Sequence, residues 1–503
     1  MLTGIGGLIS AGVFGELGTE YPMPVYIVIL RILTLILCFA AVTAGFLFAV
    51  RFLRTDKAEK LDDRMFNTRF IILGVGVILV LQLVCAFCLQ MKPITDIQSI
   101  DSYAAKIISD QSFACLDSDF NGHYIIRYQN NLPILLLITL IYRASSFFTG
   151  EISHIPVIVL NTLAVNAAVL MTVLTSRKLF GGRKAVLTLL ICALFTPYYT
   201  YTPYFYTDSF SLPFVAGTVY TFVAACQTDK RRKKLLFLLL SGTLCFVGFE
   251  LKASVIILLI AILIYLPLRM GIKRAAKNAA VILASFVILF VTCTAAIKAS
   301  GMISDESSER YQFPAAHWVM MGLKDFGAYN DEDGDFSKSF HSKTERQQAA
   351  VEEIVKRVNE KGFFGMAVHL GKKAVWTYMD GTYYIANYLE HYERKTPLHE
   401  FVLYEGKYRF GFYAYSFGYQ LFLLLMIACS GLHACRNKKL TATTLFRVAL
   451  FGMLLFFLIW ETNARYPFNF TPLYMLLATE GADALEHRLR SRGIKPPRQK
   501  TAP

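Results

Sequence analysis

The chain has 503 residues, of which 55% are hydrophobic and only 17% charged, with a mean hydropathy of +0.45. That balance excludes a string of ordinary soluble domains, and the recurrent apolar runs suit the ~30 Å hydrocarbon core of a bilayer. The net charge of +15 does not point to nucleic acid, because the excess sits in short loops between apolar runs, where the positive-inside rule places it.

The runs are continuous rather than alternating, so they read as helices and the expected fold class is an all-α membrane protein. Residues 1–20 contain Glu16 and Glu20 and offer a poor span, with no basic segment ahead of them to suggest a cleavable signal. Spans are predicted near 25–50, 69–90, 155–175, 185–201, 209–227, 235–250, 253–268, 279–297, 412–432, 442–461 and 466–484. Residues 132–142 are short for a span and read as a half-span or interfacial helix. The total is about 11–13 transmembrane helices. TDKRRKK (228–234), RMGIKRAAKN (269–278), CRNKK (435–439) and the tail after Leu485 are basic and fit one cytoplasmic side. Outside lie 91–130, the turn around Asp208, the Glu250–Lys252 turn, 298–411 and the corner ETNARY (461–466).

The loop 298–411 carries 17 acids against 15 bases and is too long for a plain connector. Within it SKTE (342–345) reads as a capping box, followed by Val351, Ile354, Val355 and Val358 at helical spacing until Gly362. The chain thus divides into an N-terminal transmembrane module (1–297) with an outer loop 91–130, an external loop domain (298–411), and C-terminal helices with a basic tail (412–503). Nine of ten cysteines lie in or beside apolar runs, and no disulfide framework or metal motif emerges.

Charge meets aromatic residues at the outer mouths of the spans. KPITDIQSIDSYAAKI (92–107) brings Asp96 and Asp101, and TPYYTYTPYFYTDSFSLP (196–213) sets Asp208 among five tyrosines. GFELKAS (248–254) brings Glu250 and Lys252, and WETNARYP (460–467) brings Glu461 and Arg465. Taken singly these have plain explanations. Tyr198, Tyr199 and Tyr201 read as an interface belt, Lys252 and Arg465 as snorkelling cations, and Asp101 and Asp110 as solvated acids. NDEDGD (330–335) lacks the twelfth-position glutamate and flanking helices of a calcium loop and reads as a solvated turn. His123, His317 and His369 show no paired ligand spacing and read as polar loop residues. Together the groups make sense as chemistry. A carboxylate among aromatics can act as a base near neutral pH, and Lys with Arg can hold a phosphate, Arg bidentately.

In their order along the chain, PITD (93–96), YQNNLP (128–133), PYFYTDSFSLP (203–213), GFELKAS and WETNARY resemble the GT-C membrane glycosyltransferases, across roughly residues 65–485. HWVMMGL (317–323), GAYNDED (327–333) and WTYMDGTY (376–383) are similar to Gram-positive members. The resemblance implies a GT-C-like bundle with extracytoplasmic juxtamembrane helices in a bacterial plasma membrane. Such an enzyme transfers a sugar from a polyprenyl-phosphate carrier to an extracytoplasmic glycan, such as a cell-wall polysaccharide or teichoic acid, with inversion. Asp96 would be the general base, with Asp101 the alternative, and Asp208 would position the acceptor or, as in some relatives, a divalent cation (Mg or Mn). Lys252 and Arg465 would hold the donor phosphate, and Tyr206, Asn130, Asn131 and Glu461 would line the substrate site. The chain departs from the pattern in an extra span before the outer loop and in Gln129, where proline is usual. A lipid-linked sugar transporter or flippase would need charged residues inside the spans, which are nearly uncharged here. A glycan polymerase or ligase would rely on external arginines rather than an early aspartate.

Overall fold

A backbone in hydrocarbon must satisfy its own hydrogen bonds, which leaves a helix as the solution for runs such as VYIVILRILTLILCFAAV. The computed structural model describes residues 25–55, 68–438 and 440–491, and these are helices joined by turns. Their β-pairing is a single isolated bridge, Met91 to Tyr392. The proposed span within residues 1–20 and the tail beyond Ser491 lie outside the described residues.

The bundle comprises α1 (Val25–Leu53), α2 (Thr68–Cys88), α4 (Leu132–Thr149), α5 (Ile155–Phe180), α7 (Thr207–Gln227), α8 (Arg231–Leu251), α9 (Ile256–Met270), α10 (Ile272–Ser300) and α15 (Arg409–Asn437). The same nine, α4 and α9 taken with their leading turns, are the helices long and apolar enough to cross a membrane among the described residues. Two shorter or more polar helices, α16 (Thr443–Ile459) and α17 (Thr471–Ser491), complete it. Leu37 and Phe48 on α1, Leu73 and Val80 on α2, and Ile288 and Val291 on α10 stay exposed, as side chains facing lipid tails do. Helices approach closely where glycine removes a side chain. A Cβ on Gly481 of α17 would sit 1.9 Å from the Met426 carbonyl of α15, and one on Gly242 of α8 would sit 2.3 Å from the Ile282 carbonyl of α10.

Two expectations change. The half-span at 132–142 is the core of the longer α4, which packs against α3 (Thr95–Asp110) and α5. The predicted span 185–201 is the short α6 (Gly182–Ala193), after which Pro197 and the aromatic stretch leave the helix in turns. Tyr198 and Tyr201 are not interface anchors. They are fully buried, Tyr198 within 3.1 Å of Thr471 Oγ1 and Tyr201 donating to the Tyr383 carbonyl. Asn161 of α5 donates to the carbonyls of Tyr201, Thr202 and Tyr204, so the stretch is held as a buried loop.

Residues 298–411 form a layer over one end of the bundle: α11 (Asp305–Tyr311), α12 (Ala315–Met321), α13 (Asp331–Lys338) and α14 (Lys343–Tyr378). The Ser342–Glu345 capping box opens α14, with Glu345 N–H to Ser342 Oγ at 3.1 Å and Ser342 N–H to Glu345 Oε2 at 3.2 Å. At Gly362, whose backbone at φ 58° is non-helical, the helix breaks where the sequence pattern ends, and a second helical segment continues to Tyr378. NDEDGD is no solvated turn: Asp333 is buried and meets Arg357 in a fork of 2.6 and 2.8 Å. The buried Lys373 of α14 donates to the carbonyls of Gly322 (2.8 Å) and Leu458 (3.2 Å), tying the layer to the corner after α16. Burial lowers its ammonium to about 8. His317 and His369 are likewise buried, at 2.6 Å from Ser337 Oγ and 3.0 Å from the Gly322 carbonyl.

Candidate active site

Five remote segments meet where α7 starts, α8 ends and the chain turns between α16 and α17. The basic segments 228–234, 269–278 and 435–438 lie at the other ends of these helices.

Asp96 stands in the first turn of α3, behind Thr95, which holds the left-handed φ of 50°. That conformation is unfavourable for a β-branched residue and is kept only where the surroundings dictate it. Asp96 Oδ1 accepts from Tyr124 Oη at 2.9 Å. Its Oδ2 lies 3.1 Å from Tyr206 Oη and 3.4 Å from Arg465 Nη2. Asn131 braces both phenols, donating to Tyr124 Oη at 2.7 Å and lying 3.2 Å from Tyr206 Oη. Asn130 is exposed and reaches the group only through Asn131 Oδ1, at 3.2 Å.

Asp208 is completely buried in the first turn of α7. Lys252 Nζ bonds its Oδ1 and Arg465 Nη1 its Oδ2 at 3.1 Å. A buried carboxylate needs such partners, and each cation needs it in return. The Arg465 guanidinium also donates to Tyr204 Oη at 2.7 Å. Its carbon lies 4.9, 5.2 and 5.7 Å from the ring centres of Tyr206, Tyr466 and Tyr388. Its Nε is buried without a hydrogen-bond partner. Lys252 Nζ sits 4.6 Å from the centre of the Tyr466 ring. Neither cation snorkels: both are held in an aromatic box. Glu461 is buried at the edge of the box and accepts from Tyr466 Oη at 2.8 Å. Burial pushes its carboxyl up to about 7, against the pull of Tyr466 and Arg465.

Asp101, one turn and a half along α3, is elsewhere. It accepts from Tyr142 Oη at 2.6 Å and lies 3.0 Å from His154 Nε2. Glu250 also stays apart, near Cys293. Four tyrosines escaped the sequence reading as parts of the cluster: Tyr124, Tyr204, Tyr388 and Tyr466. Nothing in composition separates them from anchors at a membrane surface. Both oxygens of Asp208 are occupied by cations, and no group of three His, Cys, Asp or Glu converges among the described residues. This donor set does not fit a divalent cation.

The fold defines an all-α, multi-pass integral membrane protein. The chain belongs to the family of conserved hypothetical integral membrane proteins, whose family model matches residues 28–484. No curated protein matches its sequence. Similar solved structures include the oligosaccharyltransferase AglB of Archaeoglobus fulgidus, in complex with an inhibitory peptide and a dolichol-phosphate, at 12% identity and a TM-score of 0.42. That match covers 85% of this chain and 52% of the other, so the chain spans about half the length of AglB. ArnT of Cupriavidus metallidurans bound to undecaprenyl phosphate is similar at 13% identity and a TM-score of 0.35, over 85% of this chain and 80% of that one.

Proposed function

We propose that the protein is a GT-C-type glycosyltransferase that moves a sugar from a polyprenyl-phosphate donor to an extracytoplasmic glycan in a bacterial cell envelope. The observation that carries this reading is the meeting of Asp96, Asp208, Lys252 and Arg465, from segments up to 369 residues apart, in one aromatic box. Asp96 is the general base, since it alone of the two carboxylates is part-exposed, at 37% against 0% for Asp208. It takes the proton of an acceptor hydroxyl, whose oxygen bonds the anomeric carbon from the face opposite the phosphate. The C–O bond to the polyprenyl phosphate breaks, the phosphate keeps the electron pair, and the anomeric centre inverts. Lys252 and Arg465 receive the developing charge, and the unpartnered Nε of Arg465 supplies a donor for it. Asp208 orients the two cations and keeps them charged in a site shielded from water. Asp101 is committed to Tyr142 and His154, which favours Asp96 over it.

The test is glycan mass spectrometry of the envelope with wild-type protein, without it, and with Asp96→Asn. Loss of one sugar with accumulation of the lipid-linked donor is expected in the last two. Normal decoration in the Asp96→Asn strain would refute the assignment.

A further inference from the structure

The loop layer holds a second cationic site, beside the one that faces the donor. Arg346, 4% exposed, lies in the first turn of α14 beneath a cavity of about 140 Å³ lined by Arg127, Arg310, Tyr311, Lys338 and His341 among others. Its Nε donates to the Ser337 carbonyl at 2.9 Å, and its Nη2 to the carbonyls of Phe340 (2.8 Å) and Arg310. Its Nη1 is buried with no partner. Among the described residues no carboxylate pairs with Arg127, Arg310 or Arg346. The acids nearby are engaged elsewhere. Glu345 caps the N–H groups of His341 and Ser342, Glu309 accepts from Thr344, and Asp335 offsets the lining Lys338 at 2.8 Å, which leaves the three arginines without a carboxylate partner. A desolvated guanidinium facing other cations is unfavourable by itself, and an oxyanion relieves it with charge-assisted bonds.

Side chains, not the cavity itself, link this site to Asp96. Arg127 is followed by Tyr128, whose ring lies 4.9 Å from that of Tyr124, and Tyr124 bonds Asp96 Oδ1. Arg465 reaches the same carboxylate at Oδ2. Arg465 and this chain of side chains thus reach Asp96 at different oxygens. We propose that the Arg127–Arg310–Arg346 cavity is a binding site for a phosphate-class oxyanion on the acceptor side of Asp96. The acceptor-side placement rests on the transferase reading; the anion site does not. The volume suits one tetrahedral group rather than a whole sugar, for which pockets of roughly 300 Å³ or more are usual. The oxyanion is a phosphate carried by the acceptor or free inorganic phosphate.

The experiment titrates inorganic phosphate against the thermal unfolding of the full chain in detergent, at constant ionic strength. A saturable rise in Tm is expected for the wild type and for Asp96→Asn, and none for the Arg127→Gln/Arg310→Gln pair. No saturable rise in the wild type, or an equal one in the double variant, overturns the proposal. If the double variant does not fold, Lys338→Gln replaces it, with at least a threefold weaker phosphate affinity expected and an unchanged affinity counting against the site. The source is read from transfer to phosphorylated and dephosphorylated forms of one acceptor. A KM raised at least about 10-fold by the double substitution for the phosphorylated form alone assigns an acceptor phosphate, since losing even one of the two charge-assisted contacts is worth about that factor. Equal KM values, with free phosphate changing kcat in the wild type only, assign free phosphate. Binding without any transferase activity would leave the site standing and remove the reading of Asp96; transfer without binding would remove the site alone.

Discussion

Arg465 touches both carboxylates, Tyr204 Oη and three tyrosine rings, so a change there alters charge balance and packing together. Arg465→Lys keeps the charge but loses the planar fork, and kcat/KM for sugar transfer is expected to fall on the order of 10- to 100-fold. The two aspartates separate by a different measurement. If Asp96 is the base proposed here, Asp96→Asn is expected to lower transfer by about 10²- to 10⁴-fold while Tm stays near the wild-type value, since its carboxylate is part-exposed. Asp208→Asn strands the buried Arg465 and the largely buried Lys252, so it lowers stability by about 3–5 kcal/mol as well, visible as a fall in Tm. Equal melting of the two variants would contradict the division of roles. At this scale the charged residues were legible because acids and bases are conspicuous among apolar spans. Tyr204 and Tyr388 were not, since a tyrosine in a wall and a tyrosine at a lipid surface look alike in sequence.

Among the elements, the first segment of α14 was legible at its start, Ser342, and at its break, Gly362, while its continuation to Tyr378 was not. Ser342 and Glu345 form a local cap that requires no tertiary partner, so Ser342→Ala should cost about 1 kcal/mol, read as faster amide exchange in the first turn of α14. Gly362 breaks the helix through its own non-helical backbone, and the segment beyond it, which buries His369, Lys373 and Thr377, is what no local pattern announces. The run 185–201 failed for a related reason. Its hydropathy suits a span, yet Pro197 and the carbonyl-gathering Asn161 make it turn inside the protein. Hydropathy reports what a segment can be buried in, and buried protein and lipid are equivalent on that measure.

For the molecule as a whole, the external layer and the bundle are coupled at the corner between α16 and α17. Lys373 holds Leu458 there, and Glu461 lies three residues further on. Glu461 titrates near 7 in the folded state and near its ordinary 4.5 when unfolded. Between those values the folded chain keeps a proton that the unfolded chain has lost. Stability from this group is therefore full below about pH 4.5 and declines as pH rises through 7. Glu461→Gln should flatten the fall of Tm between pH 5 and 8, and a slope identical to the wild type would argue against the burial of that carboxyl.

The sequence by itself determined that this is a helical membrane protein, which ends of the spans are basic, and which acids and cations lie at the opposite mouths. Those features follow from transfer free energies and local capping, which act residue by residue. Only the tertiary structure decided that Asp96 joins Asp208 while Asp101 turns to Tyr142 and His154, and that the tyrosines enclose Arg465. The reason is physical. Asp96 and Asp101 lie on one helix with similar polarity, and only the helices and tyrosines packed around them select which carboxylate meets the cations.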